Sequence, residues 1–308
     1  MKVIFSRKGF DSTAGGYPSP IVDGTPRSFP IPAGGGPGPR YRDLANGLGE
    51  LLEQLTSIDA EKRCHLDPDL DAKSVPRAPG WRGAFGQVNA AQGHLRRQNV
   101  TDGDLFLFWG WFQSVQRVDG RWRYIGDSEH RIFGWLQVGN VLAIGNDPSS
   151  ARAAYPWLAD HPHLAVSDWP PSNTVYVSTL ALTLDGGPDN VAGCGTFRTG
   201  LRLTAPDSPR SKWRVPNWLN QALGGTGLSR TRESRWAADG TLSVGPGQEF
   251  VADISGRDDA AAWLHQLFRA DDCSTSPTLS PAMNEQADDC SDRCDARCAS
   301  PPRGSLQT

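Results

Sequence analysis

Asp104-Leu-Phe-Leu-Phe-Trp-Gly-Trp-Phe112 is the stretch that decides the fold. Apart from its first residue and one glycine it is apolar, and Gly103-Asp104 marks its start. A short apolar run of this kind reads as a strand with both faces covered. Ile132-Phe-Gly-Trp-Leu-Gln-Val138 has the same character, and Val141-Leu-Ala-Ile144 extends the sheet. Between the two runs, Asp119-Gly120 is a two-residue hairpin signal, with Trp122 and Tyr124 on the strand that follows. Strands joined this way are antiparallel neighbours. Gly110 and Gly134 interrupt them, as at a bulge or the bend of a small barrel. The expected class is α+β: a mixed, mainly antiparallel sheet or small barrel flanked by helices.

Working outward to the N-terminus, Val3-Ile-Phe5 reads as a short buried strand that delivers a polar loop. Arg7, Lys8, Asp11, Ser12 and Thr13 bring a guanidinium, an ammonium, a carboxylate and two hydroxyls together. Gly9, Gly15 and Gly16 permit close backbone approach. Arg7 can hold a phosphate bidentately and Lys8 supplies a point charge, while Asp11 suits a sugar hydroxyl or a general base. The turn at Gly9 is expected to make Arg7 and Lys8 converge. The plain alternative is a polar surface turn after a core strand. The P-loop spacing is absent.

The remaining elements follow from periodicity and turn chemistry. Leu44, Leu48, Leu51, Leu52, Leu55 and Ile58 predict an amphipathic helix over 41–57, weakened by Gly47 and Gly49. Helices are also expected over 88–97, 149–158 and 258–268. Strands are expected over 173–180 and on to 184, at 201–204 after a turn at 193–197, and finally over 249–254. In Ser211–Leu219, Lys212 and Arg214 alternate with Trp213 and Trp218. That pattern fits either single-stranded nucleic acid or a short helix packed on the sheet by its indoles, and packing is favoured.

Further polar groups stand out. In Cys64-His-Leu-Asp-Pro-Asp-Leu70, an extended chain places His65, Asp67 and Asp69 on one face. They could ligate a divalent metal or provide an acid–base pair, although Asp67-Pro68 is also a common turn starter. Gln87 can pair with a base edge. His94 at a helix end suits a substrate contact, or more simply a cap. His161-Pro-His163 is too stiff for the usual histidine pair on zinc, and no third ligand is close in sequence, so it reads as a pocket contact. The resulting assignment is Lys8, Asp11, His65 and Asp67 as catalytic, and Arg7, Ser12, Gln87, His94 and Trp109 as substrate-binding. No residue is assigned to a metal, and no cofactor is identified.

With 38% hydrophobic and 21% charged residues the chain can build a core, and its net charge of −3 does not mark a generally basic nucleic-acid binder. Residues 1–270 are expected to form a single domain. No run is apolar for 18 residues, and the apolar start meets Arg7-Lys8 after three residues, so a cytoplasmic location without a membrane is expected. Cys64 and Cys194 are isolated, and the other four cysteines follow residue 270. No disulfide framework is expected. Cys290-x-x-x-Cys294-x-x-x-Cys298 could bind a soft metal, but residues 271–308 read as a disordered Cys/Ser/Pro-rich tail.

Phe5-Ser-Arg-Lys-Gly-Phe-Asp-Ser12, with Gly15-Gly16 and Pro18-Ser-Pro20, resembles the bacterial and phage family called nucleotide modification associated domain, third type. The likeness continues through Pro30-Ile-Pro32, His65–Leu70, Gly83–Gln87, His94-Leu95, Gly103–Phe108 and Phe133–Val138. It implies a DNA-modification setting and brings no catalytic residue set. Residues 103–138 also resemble, in pattern, the PUA-like barrels that read modified bases. Two functions are therefore expected: a transferase or hydrolase acting on a nucleotide or modified base, or a non-catalytic reader whose pocket is lined by Trp109, Trp111 or Trp135. The expected partner is a nucleotide or DNA, and nothing in the sequence sets an oligomeric state.

Overall fold

The computed structural model describes residues 1–245 and 247–272. All but the first two residues of the expected tail therefore lie outside the described residues, including the Cys290, Cys294 and Cys298 spacing.

The chain begins with β1 (Lys2–Arg7), β2 (Ser19–Val22), β3 (Thr25–Pro26) and β4 (Ile31–Pro32), then α1 (Leu48–Leu55) and β5 (Cys64–His65). The middle comprises β6 (Ala84–Gln87), α2 (Asn89–Arg97), β7 (Leu105–Val118), β8 (Arg121–Tyr124), β9 (Glu129–Ala143), α3 (Ser149–Ala154) and α4 (Pro162–Ala165). The last part holds β10 (Thr174–Ser178), β11 (Cys194–Arg202), β12 (Lys212–Arg214), β13 (Thr241–Ser243), β14 (Glu249–Asp253) and α5 (Asp258–Asp272).

A 10-stranded sheet organises the molecule, in the order β14-β1-β7-β9-β10-β6, with β2, β3, β8 and β11 attached at its sides. β7 and β9 are its antiparallel centre, and the register shifts between Phe108 and Trp109, opposite Gly134, as a bulge there requires. β1 and β2 run parallel to β7, while the other pairings are antiparallel. The β7–β8 hairpin turns at Asp119 and Gly120, both at positive φ, as a type I′ turn demands.

Alternation along β7 separates two cores. Phe106 and Phe108 join Ile4, Phe85, Leu95 and Tyr176 on one face. On the other, Trp109 meets Trp213 at 4.7 Å, and Phe5 lies between Trp213 and Trp263. Here α5 and the β12–β13 ribbon cover the sheet. Both faces are buried, so the run is apolar nearly throughout.

Of the two forms expected, the sheet is open rather than a closed barrel. It nevertheless curls strongly. Phe85 on the edge strand β6 packs against Phe106 and Phe108 at 5.1 and 5.3 Å. The opposite edge, β14, meets β6 through a side chain: Gln87 Nε2 donates to Glu249 Oε1 at 2.6 Å. Helix α2 follows β6 directly and packs beside β14.

Some local expectations shift. The helix expected over 41–57 is confined to α1, after a 3-10 turn at Tyr41–Asp43, because Gly47 sits at φ 68 and breaks the run. Residues 193–204 hold one bulged strand, β11, where a turn followed by a strand is expected. Ala181 makes only an isolated bridge, so β10 does not continue to 184. Ser211–Leu219 contains β12 and no helix, yet Trp213 and Trp218 are buried as packing residues.

Candidate active site

β5 and the segment after it run beside β6 and bring His65 and Asp67 to His161 and His163 at α4. Three imidazole nitrogens approach Asp67: His65 Nε2 at 3.8 Å from Oδ2, His163 Nε2 at 3.7 Å from Oδ2, and His161 Nε2 at 3.4 Å from Oδ1. His65 Nε2, Asp67 and His163 each present a donor atom within 4.8 Å of the others. Asp69 does not join them. It accepts both terminal nitrogens of Arg77, whose guanidinium stacks on Trp81.

Each member is held by its surroundings. The backbone N–H of Gly86 donates to Asp67 Oδ1 at 2.8 Å. His163 bonds Asn173 Oδ1 through Nδ1 at 2.7 Å, and Trp169 lies flat on its ring at 4.3 Å. His161 Nδ1 accepts from the backbone N–H of His163. Burial pushes the Asp67 carboxyl up, but the imidazoles of His161, His163 and His65 outweigh it and leave it well below the usual carboxylate range. Burial holds His163 down at about 4, with Asp67 opposing. His65 is lowered for the same reason, with His161 and the Lys8 ammonium adding to it.

Gly86 is required here. A Cβ at this position would lie 2.2 Å from the His163 ring, which Trp169 prevents from retreating. Gly86→Ala is expected to cost roughly 1–3 kcal/mol, as overpacking does. A urea unfolding curve superimposing on that of the original protein would show that the ring is free to move.

Beside this cluster lies a second polar network. Glu249 is fully buried, and its Oε1 accepts from Ser6 at 3.1 Å, Lys8 at 3.1 Å and Gln87 at 2.6 Å. The Lys8 ammonium also sits 4.4 Å over the Phe85 ring. Arg7 and Lys8 do not converge: extended geometry sends Arg7 to the other side, 3.4 Å from Asp11 and near Arg210. Asp11 Oδ1 is taken up by the N–H groups of Thr13 and Ala14 in a local turn. Ser12 is exposed. Gln87 uses its amide on Glu249 and its carbonyl on the Val88 N–H. Trp109 is only 1% exposed and packed on His130 and Trp213, so it offers no face on which a base could stack.

His94 is a satisfied interior group that bonds Ser229 Oγ at 2.9 Å. It and His130 give the protein an acid-sensitive stability. Burial lowers His94 to about 4 and His130 to about 3, with nearby arginines adding to both. Unfolded, both titrate near ~6.5. Below that pH the unfolded chain binds more protons, so stability falls as pH falls towards the folded values. Each imidazole contributes a slope of up to ~1.4 kcal/mol per pH unit in that window. The urea midpoint should be lower at pH about 5 than at about 7, and His130→Gln should flatten the difference. Equal midpoints would mean that both rings are solvated.

Asp67 and Asp69 also line a pocket of about 340 Å³, together with Arg27, Ser28 and Asn46. That is large enough to take a small organic ligand. Cys64 is no nucleophile, since burial pushes its thiol up to about 12.

A family model described as nucleotide modification associated domain 3 matches residues 2–253. The chain belongs to this family. Neither the curated proteins nor the solved structures yielded a match. The family's name points to nucleotide modification, and the match takes in every residue of the His/Asp cluster and of the Glu249 network. Among the described residues no helix is long and apolar enough to cross a membrane.

Sequence reading found His65 and Asp67 because they share a short motif. It missed Asn173, Gly86, Trp169 and Glu249. Only Glu249 carried a signal, as a carboxylate directly before the apolar run Phe250–Ala252.

Proposed function

We propose that this protein is a cytoplasmic enzyme of nucleotide modification, a transferase or hydrolase that acts on a nucleotide or a base of DNA. The observation that carries this reading is the His65–Asp67–His163 constellation, whose Asp67 also lines a pocket. Substrate enters the pocket, where Arg27 offers a guanidinium for phosphate and Asn46 an amide for a base or sugar. His65 and Asp67 are the acid–base candidates, because an imidazole can take up a proton and the carboxylate 3.8 Å from its Nε2 stabilises the imidazolium that forms. Lys8 adds positive potential near His65. A non-catalytic reader draws no support from Trp109, whose faces are covered.

The test is nucleoside mass spectrometry of DNA and of the free nucleotide pool, in cells with the gene, without it, and with Asp67→Asn. Loss of a general acid–base group costs about 10²–10⁴-fold, so Asp67→Asn should match the deletion. A modified nucleoside that persists at full level in Asp67→Asn would place the chemistry elsewhere. Identical nucleosides in all three would remove the enzyme reading.

A further inference from the structure

We propose that His65 Nε2, Asp67 Oδ2 and His163 Nε2 bind one divalent transition-metal ion, of the kind that takes mixed nitrogen and oxygen donors, such as Zn²⁺. The inference goes beyond the nucleotide reading and stands on hydrogen-bond bookkeeping at the cluster.

Asn173 decides the orientation of His163. Its Nδ2 donates to the His163 carbonyl at 2.9 Å, so its Oδ1 must be the atom facing His163 Nδ1. An oxygen there requires Nδ1 to carry the proton. In the neutral ring, Nε2 then presents a lone pair, and it points at a carboxylate oxygen 3.7 Å away. Two electron-rich atoms facing each other in a buried site need a cation between them. A proton on Nε2 is the other candidate, but the ring is buried beneath Trp169, where charging it is costly.

The carboxylate is prepared in the same way. Oδ1 takes the Gly86 N–H and faces His161, leaving Oδ2 for the centre. His161 itself supports and does not ligate. Its Nδ1 accepts from a backbone N–H, so its proton sits on Nε2, which is turned to Asp67 without a full hydrogen bond. Histidine and carboxylate ligands fixed by such outer partners are the usual build of a metal site.

Spacing agrees. Ligands about 2.0–2.1 Å from a tetrahedral ion lie about 3.3–3.5 Å apart. The two contacts to Oδ2 are 3.8 and 3.7 Å, and all three donors fall within 4.8 Å, so small side-chain rotations close the set. Three protein donors leave a coordination position open for water or a substrate oxygen, which is the arrangement of catalytic rather than structural sites. His65 is the most exposed of the three, at 20% for its side chain, and gives the ion its way in.

The experiment uses the full chain, freed of metal by a chelator and titrated with Zn²⁺ by calorimetry and with Co²⁺ by absorption. One equivalent is expected to bind, at least about tenfold more weakly in His65→Gln, Asp67→Asn and His163→Gln. Asn173→Ala should weaken it about 10–100-fold by freeing the ring. The cobalt difference spectrum between the original protein and His65→Gln should show ligand-field bands without a thiolate charge-transfer band. That separates this site from the cysteines at 290, 294 and 298. Circular dichroism confirms the fold of each variant, and the partly exposed His65 position keeps the test open should the variants at the less exposed Asp67 and His163 misfold. Zinc affinity and stoichiometry unchanged in His65→Gln, or a thiolate band in the difference spectrum, would overturn the proposal. Because binding is read directly, its failure leaves the nucleotide assay untouched, and the converse holds.

Discussion

Glu249→Gln is expected to lower the unfolding free energy by roughly 3–5 kcal/mol, the usual result of removing one partner from a buried ion pair. Glu249 is 0% exposed, and three donors from three strands or loops converge on its Oε1. An amide in its place keeps the shape and removes the charge. The Lys8 ammonium is then left without a counter-ion, supported only by the face of Phe85. Gln87 loses an ionised acceptor at the same time, and with it the side-chain link between the two edges of the sheet. Lys8→Met should be costly for the mirror reason, a carboxylate stranded in the interior. The double variant Lys8→Met/Glu249→Met should cost less than the sum of the singles, because no lone charge remains. A denaturant double-mutant cycle measures this. A coupling below about 0.5 kcal/mol would mean that the pair is solvated and that Lys8 is free for chemistry. A large coupling makes Lys8 a charge held in place, which acts on its neighbours through its field.

Phe108→Ala is expected to cost roughly 3–5 kcal/mol, the range for truncating a buried aromatic. Its ring lies 5.3 Å from Phe85, 5.8 Å from Phe106 and 6.5 Å from Phe133, and none of it is exposed. Its neighbours come from three strands and share one packed face, so they cannot collapse into the space without moving the sheet. Phe85 lies one residue from Gly86 and two from Gln87, and it also carries the Lys8 ammonium. The variant should therefore also loosen the strand that supports Asp67. A cost below about 1 kcal/mol in a urea titration would remove Phe108 from the core.

These two changes mark what the amino-acid sequence determined alone. A strand buried on both faces must be apolar along its length, so β7 and β9 could be read directly. The positive φ of a type I′ turn demands residues such as Asp119-Gly120, so the hairpin could be read too. His65 and Asp67 were legible because a period of two puts them on one face. Tertiary structure alone decided the rest. His163 joins His65 and Asp67 from a separate segment, and Asn173, from the turn before β10, orients it. Lys8 finds Glu249 only because the parallel pair β1–β7 and the antiparallel pair β1–β14 fix their registers. The sheet stays open although its side chains meet, because closure depends on backbone pairing between β6 and β14, which a hydrophobic pattern does not encode. Local sequence sets dihedral preference and which face is apolar. Which polar groups share a buried space follows from the packing of segments remote in the chain, where an unpaired charge or donor is too costly to leave.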